Sequence, residues 1–182
     1  MADDEQYHVF LVDRVYDKDW NDGVKNSVRF KLQEFFKSVI AENKTQYNDV
    51  SVSWDGALGE IKKGEIIIYF RDNPDSGKAQ TYNNGHLTSA GAAVKTPAGA
   101  LAEVYYSGFK GDAEAGALGA IIAFHEAMHV KLEFPEKPIV KDIHTAGGGG
   151  AAAPKTTRSN IPNKTNKQLM SKGLPLDVPQ YT

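Results

Sequence analysis

His125-Glu126-Ala127-Met128-His129 sets two imidazoles four residues apart, with a carboxylate directly after the first. On a helix, side chains at i and i+4 share one face about 5–6 Å apart. Two neutral imidazoles at that spacing can grip one tetrahedral Zn2+ through bonds of about 2.0–2.1 Å. Glu126 then stands beside them, placed to take a proton from water at the metal. The chain contains no cysteine. Disulfides, thiolate ligands and thiol nucleophiles are therefore excluded together, and any metal must be held by His, Asp or Glu.

The segment leading into this motif, Ala115 to Phe124, is small and apolar. Leu118, Ile121, Ile122, His125, His129 and Leu132 follow 3–4 spacing, so both histidines continue a buried helical stripe. The small residues predict close packing of this helix on a neighbour. The competing structural reading is a pair of core histidines bonded to backbone carbonyls, with Glu126 in solvent. Burying two histidines and a glutamate without a cation carries a desolvation cost, which favours the metal.

A catalytic zinc takes three protein ligands and keeps one position open. Glu133 lies two turns beyond His125; three ligands strung along one helix would span about 12 Å, too far to meet on one ion. No glutamate follows Glu136. The remaining histidines are His8, His86 and His144. His144 comes soon after the predicted helix end, where the chain can return to the helix face. Asp142 is two residues earlier, and alternate residues of an extended segment share a face. His144 is the expected third ligand and Asp142 the second choice, with the other supporting from behind. His8 reads as an ordinary strand histidine and His86 as a loop residue. Tyr105 and Tyr106, just ahead of the motif helix, are candidate substrate-binding residues whose phenols could hydrogen-bond an oxyanion. Met170 reads as core.

The 182 residues read as one domain, with a core over 7–145, a glycine-rich loop over 146–154 and a C-terminal segment over 155–182. Strands are predicted over Tyr7–Val15, Asp49–Trp54, Glu65–Arg71, Leu87–Val94 and Leu101–Ser107, with Glu65–Arg71 central. An amphipathic helix is predicted over Val24–Asn43, capped by Asn21 or Asp22. The motif helix should begin at Asp112 or Ala113 and stop near Glu133, ahead of Pro135 and Pro138. The element order is then β-α-β-β-β-β-α. Gly147–Gly150 reads either as a flexible linker or as a loop that needs positive φ near a site. Ile161–Lys172 can form a short helix, and Leu174–Thr182 reads as extended.

Lys and Arg number 21 against 23 Asp and Glu, a net charge of −2. Without a basic surplus, the electrostatic footprint of nucleic-acid binding is missing. No apolar run is long enough for a membrane span. The acidic start, Met1 to Gln6, lacks the apolar region of a secretory signal peptide, so the expected location is cytoplasmic, or outside by a dedicated secretion system.

The motif helix and, more loosely, the element order from about Tyr7 to Glu133 resemble the zincin metallopeptidases. The resemblance implies an α+β fold, with a mixed sheet of four to five strands packed on an N-terminal helix and a long motif-bearing helix. It also implies that His125 and His129 bind zinc, that Glu126 is the general base, and that Ala100 to Ser107 is the sheet edge on which a peptide or protein substrate pairs. The chain departs from the metzincin extension of the motif, which would put Gly and His where Leu132 and Pro135 stand. It also lacks the downstream Glu of gluzincins and the Cys-rich ribbon of SprT-like peptidases. Asp142-Ile143-His144, followed by glycines and a short helix with Leu169-Met170, looks like compact metallopeptidase domains of bacterial antagonistic toxins, including type VI secretion effectors. That likeness implies a cognate inhibitor or immunity protein. Two other functions fit the same residues: a non-catalytic interaction protein with a zincin-like fold, and an endopeptidase acting on peptidoglycan cross-links.

Overall fold

A computed structural model describes residues 5–56, 61–74, 90–146 and 162–182. The strands are β1 (Glu5–Arg14), β2 (Tyr47–Trp54), β3 (Ile66–Arg71), β4 (Gly91–Thr96) and β5 (Gly99–Tyr105). The helices are α1 (Asp22–Glu42), α2 (Ala115–Met128, continued by a π-helical turn over His129–Glu133) and α3 (Lys164–Gly173). The strands form one mixed sheet in the order β2-β1-β3-β5-β4. β1 runs parallel to β2 and β3, β3 runs parallel to β5, and β4 is antiparallel to β5.

The pleat divides the strand residues between two faces. Tyr7, Val9 and Leu11 of β1, Val50 and Val52 of β2, Ile66, Ile68 and Phe70 of β3, and Ala100, Ala102 and Val104 of β5 join one large core with the helices. Phe10, Val12, Ile67, Tyr69 and Leu101 form a smaller cluster on the opposite face. Each fully buried side chain of this size contributes about 1.5–3 kcal/mol. β3, apolar on both faces, takes the central position expected of it.

α1 starts where the Asn21 side chain accepts from Val24 N at 3.1 Å. It buries Val28, Leu32, Phe36 and Val39. α2 is buried nearly all round, as its composition requires. Its small residues let α1 approach closely: a Cβ on Gly116 would stand 2.2 Å from Ser27 Oγ. α3 overlaps the expected helix over Lys164–Lys172, ends one residue beyond it at Gly173, and opens with a capping box between Asn163 and Asn166. Met170 is fully buried in the main core. Beyond it the chain extends and Pro179–Tyr181 bridges Ala100, through Ala100 N to Pro179 O at 2.7 Å and Tyr181 N to Ala100 O at 2.8 Å.

One expectation is corrected. The segment Ala100 to Ser107 is not a sheet edge; β5 lies between β3 and β4. Its Ala100, Leu101, Ala102 and Val104 are buried, as an interior strand demands, whereas β4 carries the exposed Lys95 and suits an edge. The short reversal between Thr96 and Gly99 sends β4 to the outside of β5. Of the predicted Leu87–Val94 strand, Gly91–Val94 belong to β4, which runs on to Thr96; Leu87–Ser89, His86 and the glycine-rich stretch fall outside the described residues. Among the described residues, no helix is long and apolar enough to cross a membrane.

Candidate metal centre

α2 carries His125 and His129 onto one face near its C-terminal end. Their Nε2 atoms lie 3.1 Å apart. Beyond Glu133 the chain turns back on the helix, held by Ile139 N to Leu132 O at 2.9 Å and Val140 N to Leu132 O at 3.2 Å. This reversal returns His144 to the same point, with its Nε2 3.2 Å from that of His125. One ligand atom from each of the three histidines lies within 4.8 Å of the others. His129 is buried, His125 half-buried and His144 exposed, so the cluster opens to solvent on the His144 side.

Two of the rings are held from behind. His129 Nδ1 lies 2.8 Å from Glu133 Oε1, and His144 Nδ1 lies 3.1 Å from Asp142 Oδ1. Carboxylates accept only, so the network assigns a proton to each Nδ1 and leaves each Nε2 with a lone pair. Those lone pairs converge on His125 Nε2, which can donate to only one of them. A cation at the convergence replaces this mutual repulsion with three bonds. Three nitrogens around one tetrahedral ion at ~2.0–2.1 Å would themselves be about 3.3–3.4 Å apart, close to the 3.1 Å and 3.2 Å that separate His125 Nε2 from the other two. The residues therefore fit zinc. Nδ1 of His125 is buried with no hydrogen-bond partner among the described residues.

The electrostatics favour neutral, ligand-ready imidazoles at His125 and His129. Burial, reinforced by its two histidine neighbours, holds His125 down at about 3. Burial also lowers His129, against the opposing pull of Glu133. Glu126 is 6% exposed. Burial first, and the Glu133 charge second, push its carboxyl up to about 8. A carboxyl raised into this range is suited to exchange a proton near neutrality.

The expected third ligand, His144, joins the pair; Asp142 instead stands behind it. Asp142 Oδ1 also accepts from His144 N at 2.9 Å, which fixes the turn that presents the ring. The two tyrosines are not brought to the histidines by any described contact. Tyr105 is fully buried and its hydroxyl donates to Glu103 Oε1 at 3.2 Å. Tyr106 sits in the core against Trp20 and Phe109. His8, as expected, belongs elsewhere, pairing with Glu65 at 3.2 Å.

Three participants escaped the sequence reading. Glu133 supports His129 from behind, and its i+4 spacing from that histidine is the sequence signal for such a bond. Gly91, at the start of the edge strand, comes so near the motif helix that a Cβ there would stand 2.9 Å from Glu126 Oε1 and 2.7 Å from Ile122 Cγ2. Lys131 is fully buried in the π-helical turn and donates to Gly64 O and Leu176 O. Burial lowers its ammonium to about 7. Nothing in the sequence pattern announced the last two.

No known protein family, curated protein or solved structure matches this chain.

Proposed function

We propose that this chain is a zinc-dependent peptidase of zincin type, with His125, His129 and His144 holding the metal and Glu126 as general base. The observation that carries the reading is the convergence of three imidazole Nε2 atoms from two separate segments, beside a buried carboxyl. Zinc bound there would supply Lewis acidity, polarising the scissile carbonyl and lowering the pKa of water towards ~7.

The chain's own residues then divide the remaining work. Glu126 takes the proton of the attacking water and passes it to the leaving amine. Among the described residues β4 is the edge strand of the sheet beside α2, and an extended peptide would add to it through main-chain hydrogen bonds. With no side chain at Gly91, the β4 backbone packs directly against Glu126, which puts that carboxyl at the strand on which the substrate would pair. His144, on the exposed side, leaves access for solvent and product.

The test is hydrolysis of a broad peptide library by the zinc-loaded protein and by Glu126→Gln. The expected result is cleavage by the unaltered protein, and its loss in a variant that still binds zinc. Equal cleavage by both would remove Glu126 from its role. A protein that binds zinc yet cleaves no peptide, and leaves cell-wall sacculi intact, would instead be an interaction protein.

A further inference from the structure

Glu133 makes two hydrogen bonds with its two oxygens, and they run to two different parts of the proposed centre. Oε1 meets His129 Nδ1 at 2.8 Å. Oε2 accepts from Ile143 N at 2.9 Å. Ile143 immediately precedes His144, and its own side chain is fully buried in the main core. The π-helical turn His129–Glu133 is the segment that joins the ligand His129 to this carboxylate, and such turns are frequent at functional sites.

We propose that Glu133 is a positioning residue that latches the loop-borne ligand to the helix-borne one. This rests on the metal reading above. One oxygen fixes the ring orientation and tautomer of His129, so that Nε2 faces the ion. The other fixes the backbone of the Asp142–His144 turn, so that the third imidazole arrives at the same point. The helix supplies two ligands as a rigid pair; the third comes from an irregular segment whose place must be fixed by something. Asp142 orients His144 within that segment, but both belong to the same turn and move together. The backbone bonds of Ile139 and Val140 to Leu132 O hold the start of the return, and among the described residues Glu133 is the side chain that ties the ligand-bearing turn itself to the helix. Its charge also faces the ion from behind His129, an arrangement that raises ligand basicity.

Glutamine shows why the carboxylate is required. Both of its partners are donors: His129 Nδ1–H and Ile143 N–H. A carboxylate accepts through both oxygens, whereas an amide offers one accepting oxygen and one donating nitrogen. Glu133→Gln therefore preserves shape and opposes one donor with another, breaking one arm of the latch.

Zinc affinity is measured by competition with a chromophoric chelator on the unaltered protein, Glu133→Gln, His144→Ala and the double variant. The expected loss for Glu133→Gln is about 10–100-fold, the range for supporting residues behind metal ligands. In the His144→Ala background the same substitution should cost distinctly less, because the arm to Ile143 no longer delivers a ligand. That coupling is a readout that a general weakening of the fold would not produce. Unchanged affinity in Glu133→Gln, or an equal loss in both backgrounds, would overturn the latch while leaving the metal site standing. Failure of the unaltered protein to take up zinc would overturn the metal reading, and the latch with it. Should circular dichroism show Glu133→Gln to be unfolded, Glu133→Asp serves in the same comparison, since its shorter arm cannot span both partners.

Discussion

Nε2 of His144 stands 3.2 Å from Nε2 of His125, although the two residues are 19 positions apart in the chain. Asp142 prepares this meeting by accepting from both the backbone N and the ring Nδ1 of His144. Asp142→Ala should therefore weaken zinc binding by about tenfold or somewhat more, without abolishing it. His144→Ala should weaken it much further. Chelator competition on the two variants checks the order. If Asp142→Ala lost as much affinity as His144→Ala, the carboxylate would have to be counted as a ligand.

The raised carboxyl of Glu126 predicts a pH dependence in the metal-free protein. Its folded value of about 8 lies above the ordinary 4.5. Between these values the folded state binds a proton that the unfolded state has released. Stability from this group is thus present below the ordinary value and is lost as pH rises towards 8, at no more than about 1.4 kcal/mol per pH unit. Glu126→Gln carries no such proton. Denaturant melts in the presence of chelator should show the variant gaining on the unaltered protein as pH rises from 4.5 to 8. Parallel stability curves would show that the carboxyl titrates normally.

Gly91 sets the distance between the sheet edge and the motif helix. A side chain there must displace Ile122, the Glu126 carboxylate or the strand itself, since a Cβ would approach to 2.7 Å and 2.9 Å. Gly91→Val should leave zinc content unchanged and lower kcat/KM by at least about tenfold, because small displacements of reacting groups carry large rate penalties. Steady-state kinetics beside elemental analysis distinguishes this from loss of metal.

Lys131 ties the segment after α3 to the π-helical turn by donating to Leu176 O, and reaches Gly64 O as well. Tyr7 also donates to Gly64 O, at 2.9 Å, so Leu176 O is the acceptor that depends more on the lysine. Lys131→Met keeps the length of the side chain and removes the donor. It should cost about 1–3 kcal/mol of stability, the range for leaving a buried polar group unmatched. Limited proteolysis should then cut after Leu174 sooner than in the unaltered protein.

Much of the fold was legible because its signals were local and periodic. The apolar runs of β1 and β3, the alternation in β2 and the 3–4 stripe of α1 each follow from short-range pattern. The histidine pair was legible for the same reason. The position of β5 inside the sheet was not, because strand order is decided by which strand can be buried on both faces, and Ala100, Ala102 and Val104 on one face with Leu101 on the other satisfy that less conspicuously than isoleucines would. His144 could be reached by elimination in a cysteine-free chain with few histidines. The double attachment of Glu133 could not, since its second partner is the backbone N–H of Ile143, and backbone partners across a chain reversal leave no mark in side-chain types.

The most direct measurement is the zinc content of the purified protein, determined by elemental analysis after exchange against buffered free zinc. The account predicts one zinc per chain in the unaltered protein, and loss of that zinc in His125→Ala and in His129→Ala. An unaltered protein without zinc, or variants that retain a full equivalent, would contradict it.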